Sequence, residues 1–125
     1  MRLHASLYRL VKINGYTTSF YYGGDASFDN MSLFLKKNHV DELKDIKSFP
    51  RGYVKLPAAN GFTWGYNDKE LFRHYLATRA DDESKSPELN VILTVASHNP
   101  FLVNDQPEYI RKFEQRILVR GVKFE

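Results

Sequence analysis

The chain has 125 residues, a net charge of +3 and no cysteine, which suits one domain and excludes disulfides, cysteine zinc sites and cysteine nucleophiles. It is 42% hydrophobic, enough for a core, yet no run of 18 apolar residues occurs and Met1–Ser19 is too polar for a signal peptide, so this segment neither spans a bilayer nor carries a leader. Lys and Arg are dispersed, without the clustered basic face of a nucleic-acid binder, and no nucleic-acid partner is expected.

Leu3, Leu7, Leu10 and Val11 recur at helical spacing, and Gly15 suits the end of that helix. Tyr16–Tyr22 is dense in Thr and aromatic residues, which predicts a strand broken by Gly23–Gly24–Asp25. A helix follows from about Phe28 to Lys37, with Met31, Phe34 and Leu35 on one face. A short strand is expected near Asp45–Ser48, a turn at Phe49–Pro50–Arg51–Gly52, and loop over Ala58–Gly65.

Asn67 with Glu70 makes a capping box at the start of the next helix, whose apolar stripe is Leu71, Phe72, Tyr75 and Leu76. A charged loop over Ala80–Pro87 leads into Asn90–Ser97. The apolar run Val91–Val95 there predicts a strand buried on both faces, as in a parallel sheet. A last helix is expected from Pro107, with Asp105 and Glu108 as its cap, Ile110, Phe113 and Ile117 facing the core, and Gly121 as its stop. Strands alternating with helices give an α/β sheet with crossovers. Two strong strands are few for a free-standing doubly wound domain, and the pattern suggests a piece of a larger one.

Chemistry concentrates at strand ends, where open α/β sheets bind ligands. His98, in Ser97–His98–Asn99–Pro100–Phe101, can hydrogen-bond an anionic oxygen or exchange a proton; it can equally close a turn. Gly23 and Gly24 permit close backbone approach to a ligand, and Asp25 can bind a hydroxyl or metal, or simply cap the next helix. Trp64 can stack on a sugar or pack at a core edge, with packing favoured. Asp68 reads as a first-turn helix charge. His4, His39 and His74 share no ligand spacing and read as surface or partly buried side chains. No metalloprotease, phosphate-loop, nucleophile-elbow or dinucleotide fingerprint occurs.

Four stretches in order carry a resemblance: Asn14–Tyr22 (NGYTTSFYY), Gly23–Asn30 (GGDASFDN), Trp64–Phe72 (WGYNDKELF) and Thr94–Phe101 (TVASHNPF). Over roughly residues 5 to 120 the chain resembles the extracytoplasmic enzyme domain of sulfatase-like proteins of the alkaline phosphatase superfamily, among them lipoteichoic acid synthases and phosphoglycerol transferases. The resemblance implies an α/β fold, a partial three-layer sandwich with a mostly parallel sheet. Residues 1–125 would form one partial domain, an internal segment of a larger catalytic domain.

Catalysis in such enzymes uses a Thr, Ser or formylglycine nucleophile on a divalent metal (Mn, Mg, Ca or Zn), which lowers the nucleophile's pKa and neutralises charge on the ester. The family's nucleophile and first acidic ligand lie N-terminal to Leu7–Tyr22, and its Asp-His metal pair lies beyond Gly121. The resemblance therefore implies no catalytic residue, no metal ligand and no turnover in this chain alone. It implies that His98 reaches the phosphate or sulfate of an anionic ester. The headgroup Trp and Arg of lipoteichoic acid synthases align with Asp29 and Met31, so an Arg clamp is lost; Asp25 and Asp29 would hydrogen-bond a polyol or sugar instead, and Trp64 remains a candidate substrate contact beside them. The parent would be anchored in the cell membrane with its enzyme domain outside the cytoplasm, while this soluble piece could self-associate through exposed sheet edges.

The main alternative is a free-standing module gripping sugar or nucleic acid on a platform of Tyr21, Tyr22, Trp64 and Tyr66. A regulatory, receiver-like domain would need an acidic cluster at strand ends that the sequence lacks.

Overall fold

The computed structural model describes residues 6–58, 61–83 and 85–98, with 107, 108, 111, 112 and 115. Helix α1 (Leu7–Ile13) leads into strand β1 (Thr17–Tyr22), helix α2 (Met31–Lys37), strand β2 (Glu42–Lys44), helix α3 (Asp68–Ala80) and strand β3 (Glu88–Leu93). The sheet is parallel throughout, in the order β2-β1-β3. The chain therefore makes crossovers, and helices cover both faces.

β1 alternates its side chains between two layers. Phe20 and Tyr22 point into a cluster with Tyr8 of α1, Leu35 of α2, Ala26, Leu56 and Val95. Tyr21 points the other way, edge-on to His74 and Tyr75 of α3. A 13-residue helix is about 20 Å long, the height of a six-residue strand, so α3 spans the sheet from end to end. Arg79 fastens its far end, donating to Tyr21 Oη (3.0 Å), Glu42 (2.8 Å) and Glu88 (3.1 Å), one partner on each strand.

The expected α/β class and parallel sheet are what the structure contains, with local differences. The helix expected over Phe28–Lys37 starts as a 3-10 turn, Phe28–Asn30, and becomes α-helical only at Met31. Asp29 (φ 52°) and Asn30 (φ 57°) break it, because short polar side chains tolerate left-handed backbone. The short strand lies at Glu42–Lys44, not Asp45–Ser48. Asp45 instead accepts from Lys47 N at 3.1 Å, a local bond that competes with strand pairing and caps a 3-10 turn over Ile46–Ser48.

The buried face of α3 is Glu70, Leu71 and His74, whereas Phe72 and Leu76 are exposed. β1 is the strand buried on both faces; β3, expected in that role, is half-buried because it is an edge of the described sheet. Of the helix expected from Pro107, residues 107, 108, 111, 112 and 115 are helical. Its Asp105 cap, Ile110, Phe113, Ile117 and Gly121 lie outside the described residues, as do Leu3, His4 and the Asn99–Phe101 part of the His98 motif.

Candidate functional site at the carboxyl edge of the sheet

β1 and β3 are neighbours with Tyr22 beside Leu93, so the Gly23–Asn30 and Thr94–His98 segments leave the sheet at the same edge. Between them runs Thr63–Tyr66, bound to the first segment through Tyr66 N to Gly23 O (2.9 Å) and to Leu56 N through Gly65 O (2.7 Å). This approach demands glycine. Gly65 has φ +124°, and a Cβ there would stand 2.1 Å from Gly23 O; one on Gly23 would stand 2.5 Å from Tyr66 O. The glycines expected to admit a ligand thus admit a neighbouring stretch of backbone.

That packing sets Trp64 between the two strand-end segments. Its ring lies 4.2 Å from the His98 imidazole, centroid to centroid, and meets Phe28 and Phe62 edge-on at 5.9 and 5.3 Å. Phe28 and Phe62 are each 59% exposed, and His98 is exposed too. The structure therefore brings His98 and Trp64 into contact. Asp25 and Asp29 flank Phe28 in the same cluster's loop, and both side chains face solvent.

Asp25 does not cap the next helix, whose N-cap position is held by Asn30, nor the 3-10 turn before it, which starts from Ser27; it closes a local turn instead, its Oδ1 accepting from Ser27 Oγ (2.7 Å) and Ser27 N (2.9 Å), and these bonds, the hydroxyl's first, hold its carboxyl below the usual carboxylate range. An exposed imidazole backed by an indole can donate to an oxyanion, and the Asp25 and Asp29 carboxylates of the Phe28 loop can accept from hydroxyls.

Two residues were under-read in the sequence. Asp68 does more than carry a first-turn charge: its Oδ1 accepts from Val95 N (2.9 Å) and Ala96 N (3.1 Å), the backbone that leads to His98. The signal was available, since Asn67 already caps α3 by accepting from Glu70 N at 2.8 Å, leaving Asp68 surplus to capping. His74 is buried rather than superficial, packed against Phe49, Tyr53 and Tyr21, with Nε2 3.3 Å from Ser48 Oγ. Burial first, then the Lys44 charge, push its imidazole below its ordinary pKa, against the opposing pull of Glu42. It sits on the α3 layer, apart from the His98 cluster. The platform required by a free-standing sugar- or nucleic-acid-binding module is not formed, because Tyr21, Tyr22 and Tyr66 are buried. Among the described residues no three His, Cys, Asp or Glu side chains stand together as a metal site, and no helix is long and apolar enough to cross a membrane.

The family model for sulfatases matches residues 1–118. Among solved structures, the chain is similar to a protein in the alkaline phosphatase superfamily from Vibrio parahaemolyticus, at 28% identity and a TM-score of 0.65, over 79% of this chain and 23% of that one. It also shares its fold with the lipoteichoic acid synthase LtaP from Listeria monocytogenes, at 24% identity and a TM-score of 0.65, over 84% of this chain and 24% of that one. The chain thus spans about a quarter of the length of each of these two structures.

Proposed function

This chain belongs to the sulfatase family, and from that premise we propose that it is the substrate-side part of a larger enzyme acting on sulfate or phosphate esters. Residues 1–125 form one partial domain of that enzyme. The chemistry is sulfuric ester hydrolysis or phosphoglycerol transfer at the cell envelope. His98 donates a hydrogen bond to the anionic ester group, and Trp64 holds the imidazole at the sheet edge. Asp25 and Asp29 accept hydrogen bonds from hydroxyls of the esterified alcohol. The observation that supports this reading is the exposed His98 ring lying 4.2 Å from Trp64 at the carboxyl edge of a parallel sheet.

A divalent metal would supply nucleophile activation and charge neutralisation in the parent enzyme. On this reading the metal's ligands are supplied by other parts of the parent, N-terminal to Leu7–Tyr22 and beyond Gly121. On the same reading the parent is membrane-anchored with this domain outside the cytoplasm.

The test is turnover by the full-length protein of two chromogenic probes, an aryl sulfate and an aryl phosphodiester. Replacing His98 by Ala removes an oxyanion donor and is expected to lower kcat/KM by about 100-fold, with the unfolding midpoint of the protein unchanged because the ring is exposed. Wild-type turnover by His98→Ala would sink the assignment.

A further inference from the structure

The position of His98 has a physical cause that lies on a different element. Val95 and Ala96 follow β3 and have left the strand ladder, so their N–H groups need other acceptors. Val95 is 5% exposed, and Asp68 Oδ1 takes both N–H groups, at 2.9 and 3.1 Å. His98 N then donates to Val95 O at 3.0 Å, closing the turn that carries the imidazole onto Trp64. Asp68 itself is immobilised: it is the first residue of α3, its neighbour Asn67 caps that helix, and the opposite end of the helix is fastened to all three strands by Arg79. A charged acceptor serving two N–H donors makes stronger bonds than a neutral one.

We propose that Asp68 is a positioning residue for His98, fixing the Val95–His98 turn so that the imidazole stays packed against Trp64, tilted to it by 44°, and aimed at the ligand. Asp68 does not touch the ligand; it acts through backbone. Its effect on turnover rests on the ester-binding reading of His98, whereas its effect on the His98–Trp64 contact does not.

Two measurements separate these. On the 125-residue chain, amide hydrogen exchange and the NMR ring-proton shifts of His98 report the turn directly, because the indole packed against the imidazole displaces those shifts. In the wild type, the Val95 and Ala96 amides are expected to be protected although they lie outside the ladder. In Asp68→Ala that protection is lost and the His98 ring protons move most of the way to the values of an imidazole away from the indole. Asp68→Asn keeps an acceptor oxygen and restores most of both. In the full-length protein Asp68→Ala is expected to lower kcat/KM for the aryl sulfate or phosphodiester probe by roughly 10–100-fold, the usual consequence of a misplaced catalytic contact, with substantial rescue by Asp68→Asn.

Fast exchange of Val95 and Ala96 in the wild type would overturn the proposal even if Asp68→Ala failed to fold. So would an Asp68→Ala chain with wild-type protection and ring shifts. A fully active His98→Ala protein, together with displaced His98 ring protons in Asp68→Ala, would remove the ester reading and leave the positioning role standing.

Discussion

At Gly65 the backbone φ is +124°, and a methyl group would overlap the Gly23 carbonyl at 2.1 Å. Gly52 has a comparable φ of +90° with nothing within 4 Å of its missing side chain. The pair separates two penalties. Gly52→Ala is expected to cost the backbone strain alone, roughly 1–3 kcal/mol. Gly65→Ala adds a collision between two backbone segments and should cost clearly more, read as the difference in denaturant midpoint between the two variants. It should also withdraw Trp64 from His98, because Gly65 is what lets Trp64 reach the strand-end loop. Equal destabilisation by the two substitutions would show that the close approach carries no weight.

α3 links the two faces of the problem. Its outer end holds the His98 turn through Asp68, while its middle buries His74 against Tyr21, Phe49 and Tyr53. A buried imidazole resists charging. His74, lowered from its ordinary 6.5, binds its proton more readily in the unfolded chain than in the folded one. Stability therefore rises with pH across this window. It is complete above the ordinary value and declines as pH falls from there toward the depressed folded value. Chemical denaturation followed from about pH 7.5 down to about pH 5 should show this slope in the wild type and a shallower one in His74→Gln. Parallel slopes in the two proteins would mean that His74 charges without strain in the fold.

On the scale of the molecule, α1, α2 and α3 each keep apolar side chains outside: Leu7, Leu10 and Ile13 on α1, Leu33 and Phe34 on α2, Phe72 and Leu76 on α3. β2 and β3 each present an unpaired side among the described residues. Both features suit a segment built to be covered by the rest of a larger domain, as the proposed function has it. In isolation such surface is a route to association. Sedimentation velocity of the 125-residue chain is expected to show dimers or larger species that grow with concentration. Leu93→Lys, at the exposed end of β3, should shift the distribution toward monomer. A wild-type chain that stays monomeric at every concentration would count against open edges as its adhesive surface.

The periodicity of the chain was enough to give the α/β class, the existence of three helices, the aromatic strand β1 and the apolar strand β3, because these depend on neighbours a few residues away. The Asn67 cap and the Phe49–Gly52 turn were legible for the same reason, and His98 and Trp64 could be singled out from strand-end position and the family resemblance. Burial was not legible. The most apolar run, Val91–Val95, lies largely in a half-buried edge strand, whereas Thr18, Ser19 and Tyr21 fill the buried centre. How deep a strand lies is set by what pairs on either side of it, and its own residues do not encode that. The same holds for the site. Only the parallel register of β1 and β3, and a helix as long as the sheet is high, place Asp68 under the turn of His98 across 27 residues of chain and bring Trp64 onto the imidazole. Contacts of that sequence separation arise from packing geometry, which periodicity does not carry.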